Sequence, residues 1–181
     1  TPNESSAASD VYKRQGKILN WGIGPGQEEA VCDVINSTTP PEAIQCGVNV
    51  LNSLGAIGYA SIKPNPKLVL EESKKKDIPI LAIRAVQAGA LTSKMDREPH
   101  PSGFDHPDFA DYEKAQPFRE LAEDWGESPA SLAHRYALSI DKVGSVILGI
   151  KNRQELIECL EAEKKGRLDI EQILTLENLF N

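Results

Sequence analysis

The stretch LAIRAVQAGALTSK, Leu81–Lys94, decides the fold. It opens as a buried strand does, admits one arginine at Arg84, and then gives way to small residues around Gln87, Ala88 and Gly89. Small residues directly after an apolar strand let the backbone turn sharply or approach a ligand closely. Upstream, KLVLEESKKK (Lys67–Lys76) reads as a helix and IPILAIRAV (Ile78–Val86) as the strand it delivers.

The same strand-turn-helix unit recurs on both sides. KILNWGI, Lys17–Ile23, has strand texture; Gly24-Pro25-Gly26 turns the chain, and Ala30, Val31, Val34 and Ile35 form a helical face. AIQCGVNVL, Ala43–Leu51, has strand composition, and a loop with Pro64 and Pro66 follows it. Thr92 to Gln116, holding Pro99, Pro101 and Pro107, reads as a long irregular loop, and loops of that length in a compact domain are usually functional, so a lid is expected. Pro117 suits the first position of a helix whose face is Phe118, Leu121, Ala122 and Trp125, with Gly126 as its stop. Ser128-Pro129 opens the next helix in the same way. VGSVILG, Val143–Gly149, is a nearly unbroken apolar strand of the kind buried on both faces. Asn152 and Glu155 have the residue types of a capping box, opening a helix with core face Leu156, Cys159 and Leu160. Asp169 and Gln172 repeat that spacing before Ile170, Ile173 and Leu174.

Alternating β and α units predict a parallel α/β sheet. With about four strands, the chain has room for only half of a (β/α)8 TIM barrel, which takes ~250 residues when whole. The expected fold is therefore a partial barrel.

Composition narrows the function. The chain has 181 residues, 40% of them hydrophobic, enough for one domain with an apolar core. Lys and Arg number 20 against 27 Asp and Glu, a net charge of −7, and basic residues cluster only at Lys74, Lys75 and Lys76, so no nucleic-acid footprint is present. Cys32, Cys46 and Cys159 are odd in number and far apart, which fits reduced thiols and a cytoplasmic location. No apolar run approaches the length of a membrane span. Asn36-Ser37-Thr38 spells a glycosylation acceptor, relevant only in a secreted protein. Residues 1–15, TPNESSAASDVYKRQ, lack an apolar face and read as a disordered or foreign leader, leaving 16–181 as the folded unit.

Five segments in order resemble the aldo-keto reductases, a family of (β/α)8-barrel oxidoreductases that use NADPH. GKILNWGI resembles the family's fifth strand, and AIQCGVNVL its sixth with the Gln and Asn in place. ILAIRAVQAGALTSK resembles the seventh strand and its phosphate loop. LAEDWGESPASLAHRYALS matches the helix before the eighth strand, and VILGIKNRQELIECL that strand with its cofactor helix. The resemblance covers about Gly16 to Phe180 and implies strands five to eight of the barrel.

It also implies roles. Gln45 would touch the nicotinamide amide, and Ile83 holds the place of the aromatic that stacks on the nicotinamide. Arg84, Val86 and Gly89 would lie along the pyrophosphate. Gly149, Ile150, Lys151 and Asn152 would open the cofactor helix, with Lys151 meeting the 2′-phosphate of NADP, and Glu155 and Cys159 would lie near the adenine. The physics agrees, because phosphate sites in such barrels are commonly built by the loops after strands seven and eight at a helix N-terminus. Plainer readings stand beside these. Asn152 and Glu155 can be a helix cap only, Lys151 an ordinary exposed lysine, Gly89 a turn residue, and Arg84 the partner of a carboxylate. Gln45 in an apolar strand is harder to explain plainly, since a buried amide needs partners. His100 and His106, without further ligands, read as loop histidines, and His134 as structural.

Hydride transfer to a carbonyl needs a proton donor, and the family uses a Tyr tuned by a Lys, with an Asp and a His around it, all in the first half of the barrel. No residue here matches those motifs, so none inherits a catalytic role. The cofactor half departs as well: Gly24-Pro25 replaces a Ser-Asn pair, Cys159 replaces the adenine-reading Asn, and Glu155 replaces a Gln or Arg. Three readings follow: part of an NADP-dependent reductase of small-molecule carbonyls, a nucleotide-binding module that pairs with another half-barrel through its exposed edges, or a non-catalytic interaction protein.

Overall fold

The computed structural model describes residues 2–60, 64–95, 98 and 107–180. His100 and His106 lie outside the described residues. Four parallel strands, β1 (Gly22–Ile23), β2 (Ala43–Gly47), β3 (Ile80–Ile83) and β4 (Val143–Val146), form one sheet in the order of the chain. A doubly wound sheet reverses its strand order, whereas a barrel adds each strand beside the last, so this sheet is consistent with an arc of a (β/α)8 barrel.

Helices α2 (Glu28–Ile35) and α3 (Pro66–Lys75) cross between the first three strands. Between β3 and β4 lie α4 (Pro107–Lys114), α5 (Gln116–Asp124) and α6 (Pro129–Ser139), and α7 (Arg153–Lys165) and α8 (Ile170–Asn178) follow. Right-handed crossovers that always step in one direction keep their helices on one face of the sheet. On that face Val31, Ile35, Val69 and Ala137 pack against Ile44, Cys46, Ile80, Ala82 and Val143. The Cys46 thiol lies inside this layer, where burial, and to a lesser degree the Glu28 carboxylate, push its pKa up to about 12. A second cluster under the helices holds Leu91, Phe118, Leu132, Tyr136 and Leu176.

The strand ladders are shorter than the apolar runs that encode them, because parallel pairing continues past each end through single bonds only. Val48 N–H donates to Ile83 O at 3.0 Å and Ile147 N–H to Ala82 O at 2.8 Å.

Pro2–Arg14 forms helix α1, and Lys13 makes an ion pair with Glu42 just before β2. Other expectations need correction. The Thr92–Gln116 segment is not wholly irregular, because α4 sits within it, with Asp108 and Asp111 on one face. Finally, β4 is covered on one face only: Gly144 and Ser145 are exposed and Ile147 is 43% exposed. The intended core face of α7 is open too, with Leu156 40% and Leu160 50% exposed, while α8 buries Leu176 rather than Ile170 or Leu174. Among the described residues no element covers the inner face of the sheet or the outer side of α7, which is where further barrel units would pack.

Candidate cofactor site

In a parallel sheet every strand delivers its carboxyl end to the same edge, and that edge gathers most of the candidates. Gln45 pairs in register with Leu81, and Leu81 with Ser145. On β2 burial alternates about Gln45, with Ile44 and Cys46 in the helix-side core, so Gln45 belongs to the open inner face. The half-buried Ile83 ends β3 two residues beyond Leu81, on that same face.

The loop after β3 is backbone-driven. Arg84, Gln87 and Ala88 adopt positive φ of 60°, 45° and 52°, and Gly89 has φ 97°. Only the last is a glycine, and each of the others carries a steric cost of order 1 kcal/mol or more that its surroundings must offset. Short backbone bonds help: Gln87 N–H donates to Arg84 O at 2.8 Å and Gly89 N–H to Val86 O at 3.0 Å.

Side chains do more. Arg84 Nη2 donates to Asp108 Oδ1 at 2.5 Å and Arg84 Nε to Gln87 Oε1 at 3.0 Å. Gln87 Nε2 donates to Asp111 Oδ2 at 2.6 Å, and Ser53 Oγ donates to that same oxygen at 2.6 Å. Asn49 Nδ2 reaches Arg84 O at 3.2 Å and Gln87 Oε1 at 3.3 Å. Asp108 and Gln87 are fully buried. Arg84 thus has a carboxylate partner from α4. Gly55, at φ 51°, lies against the pair; a Cβ there would collide with Asp108 Oδ1, Arg84 Nη2 and Gln87 Nε2.

After β4 the chain is exposed at Gly149, Ile150, Lys151 and Asn152. Asn152 caps α7: its Oδ1 accepts from Glu155 N–H at 3.0 Å and its Nδ2 donates to Glu155 Oε1 at 2.9 Å. Glu155 Oε2 accepts from Lys151 N–H at 2.8 Å, one residue before the N-cap, so the reciprocal half of a capping box is displaced by one position. Asp169 and Gln172 complete the full box on α8. Cap and cofactor readings of Asn152 overlap here, since the negative side chain of Glu155 already answers the positive helix end. Asn152→Ala is expected to cost about 1 kcal/mol in stability, measured by urea unfolding; a loss below a few tenths would mean that Glu155 alone holds the helix start.

Farther along α7, Cys159 Sγ lies 3.2 Å from His134 Nε2 on α6. Burial, followed by the Glu158 and Glu155 carboxylates, pushes the thiol's pKa up, and burial pushes that of His134 down against the opposing charge of Glu158. Both are neutral near pH 7, and the imidazole tautomer sets which of the two donates in this contact. His134 Nδ1 is buried without a hydrogen-bond partner.

Sequence reasoning missed Asn49, Ser53, Asp108 and Asp111 as one cluster. The only local signal was the Asp-x-x-Asp spacing after Pro107, which puts both carboxylates on one side of a helix. Of the tyrosines with described side chains, Tyr136 donates to Glu177 Oε1 at 2.9 Å, Tyr112 to Ser93 O at 3.3 Å, and Tyr12 packs beneath Lys17. Among the described residues no group of three or more potential metal ligands occurs.

The class the fold shows is α/β, with a parallel sheet in chain order that is consistent with part of a (β/α)8 barrel. The model of the Aldo/keto reductase family matches residues 2–180, and the chain belongs to that family. The fold is similar to that of aldo-keto reductase AKR11C1 from Bacillus halodurans, at 17% identity and TM-score 0.70 for its apo form and 18% and 0.71 for its holo form. The match covers 98% of this chain and 56% and 55% of those chains. It is similar too to glycerol dehydrogenase AKR11B4 from Gluconobacter oxydans, at 21% identity and TM-score 0.68, covering 98% of this chain and 54% of that one. The chain therefore spans about half the length of these solved relatives. No curated protein matches it in sequence.

Proposed function

We propose that the chain is the carboxyl-terminal half, strands five to eight, of a cytoplasmic aldo-keto reductase that reduces small aldehydes or ketones with NADPH. Family membership and the meeting of the β3 and β4 loops at one sheet edge carry this reading. The folded half-barrel is assigned to 16–181, with 1–15 outside it. When bound, the nicotinamide supplies a hydride to the carbonyl carbon.

This chain's own residues would hold the dinucleotide. Gln45, on the inner face, offers an amide to pair with another amide, and Ile83 offers an apolar surface at the end of β3. Val86 and Gly89 lie in a turn tight enough for close backbone approach. Gly149, Ile150 and Lys151 lead into the N-terminus of α7, where Asn152, Glu155 and Cys159 line the first turns. The acid that protonates the developing alkoxide belongs, in this reading, to the other half of the parent. Purified chain is accordingly expected to bind NADPH, seen as a change in its fluorescence, and to turn over no small aldehyde. Steady NADPH consumption would overturn the second expectation, and absence of binding up to millimolar cofactor the first.

One observation favours a second reading. Leu81, Ile147, Leu148, Leu156 and Leu160 are all more than a third exposed, an apolar extent that favours association with a complementary half-barrel. On that reading the chain is a nucleotide-binding or interaction module, and the same titration separates the two kinds.

A further inference from the structure

We propose that Cys159 is a modification site for neutral conjugated carbonyl electrophiles, with His134 as the base that takes the thiol proton. The proposal stands apart from the dinucleotide reading, since it concerns the thiol's own chemistry and needs no bound cofactor.

A protonated thiol becomes a nucleophile where a base lies within hydrogen-bond reach. Cys159 Sγ on α7 is 3.2 Å from His134 Nε2 on α6, so the packing of two helices makes the pair. His134 is 8% exposed, and its Nδ1 is buried with no partner. The thiol is therefore the ring's polar partner, and no second acceptor holds the imidazole in its protonated form. Among the described residues His134 is the only imidazole. Cys46 is buried, with its Sγ against Gly47 O at 3.6 Å and Pro66 O at 3.7 Å. Cys32 is partly exposed on α2 and has no hydrogen bond to the ring, which makes it an internal control.

The surroundings choose the electrophile. Burial, followed by the Glu158 and Glu155 carboxylates, holds the thiol's pKa up, so the resting sulfur keeps its proton and an anionic reagent is repelled. Leu156, one turn before Cys159, and Leu160 beside it are 40% and 50% exposed and offer an apolar approach. A neutral reagent with an apolar body fits both conditions.

The step conserves atoms and electrons, and it uses the tautomer that carries its proton on Nδ1. The Sγ lone pair bonds to the β-carbon, the C=C π pair moves to the α-carbon as an enolate, and the thiol proton passes to His134 Nε2. The imidazolium, with the Glu158 charge near it, then returns that proton to the α-carbon. The net reaction is addition, and no oxidant or reductant is consumed.

The full chain tests this with cyclohexenone as probe, followed by mass spectrometry of the intact protein and of its peptides. The first adduct is expected on Cys159, ahead of Cys32. Burial lowers the His134 pKa, so the base is available throughout the neutral range. The Cys159 rate should accordingly change less than about threefold between about pH 7 and pH 8, whereas a thiol that reacts only as ambient thiolate gains about tenfold. His134→Gln should slow the reaction at Cys159 by about tenfold or more and leave Cys32 unchanged. The pH profile is read on the unaltered chain, so it decides the matter even where the variant does not fold. A first adduct on Cys32, a tenfold gain per pH unit at Cys159, or an unchanged Cys159 rate in folded His134→Gln would each overturn the proposal. Oxidation of Cys159 by hydrogen peroxide, with no adduct from cyclohexenone, would overturn it as well.

Discussion

Replacing Arg84 with methionine is expected to lower the free energy of unfolding by about 3–5 kcal/mol, the usual consequence of stranding a buried charge. The charge that loses its guanidinium is that of Asp108, fully buried and held by Arg84 Nη2 at 2.5 Å as well as by Ala56 N–H at 3.2 Å. Loss of the Nε bond also leaves the buried Gln87 Oε1 with Asn49 Nδ2 as its remaining donor in this cluster. Urea unfolding with an unchanged m-value is the measurement. The double variant Arg84→Met/Asp108→Leu should recover most of the loss, because removing both partners leaves neither charge buried without the other. A single variant that costs less than about 1 kcal/mol would show that α4 is only loosely seated and that water reaches Asp108.

Phe118→Ala is expected to cost a similar 3–5 kcal/mol, for an apolar reason. Phe118 is fully buried in the cluster shared by Leu91, Leu132, Tyr136 and Leu176. Truncation removes the ring's transfer free energy and leaves a cavity among residues of three other segments, so collapse around it is incomplete. Ala90 and Leu91 of that cluster directly follow the β3 loop. The damage should therefore reach the candidate site as well as the global stability, with thermal denaturation and NADPH binding shifting together. A midpoint lowered by only a degree or two would mean that the second core tolerates repacking.

Much of this architecture could be read from pattern alone, and the α5 helix shows why. Phe118, Leu121, Ala122 and Trp125 follow helical spacing, and Phe118 and Ala122 are indeed buried with the other two packed beside them. Local periodicity succeeds there because the helix has neighbours on its apolar side. It fails on α7, where Leu156 and Leu160 have the right spacing and stay 40% and 50% exposed among the described residues: periodicity reports which side a helix would bury, never whether something lies there to bury it. The site divides the same way. Asn152 as an N-cap was visible from three residues of sequence, because capping is a local interaction. Arg84 was recognised as a break in the strand, but the choice between phosphate and carboxylate depended on Asp108, which the fold brings across from a different helix.

The sheet's ladders also differ in strength from one side to the other. β1 is joined to β2 by the pairs Gly22–Ala43 and Ile23–Ile44, whereas β2 and β3 pair from Ile44–Ile80 through Gly47–Ile83 without a break, and β4 meets β3 across a register shift at Ile80/Leu81. Opening fluctuations therefore have a direction. Protection of the amides should be deepest along β2 and β3 and shallowest at β1, so the molecule frays from its amino-terminal strand toward its centre, and the loop that carries Arg84 hangs from the part that lets go last.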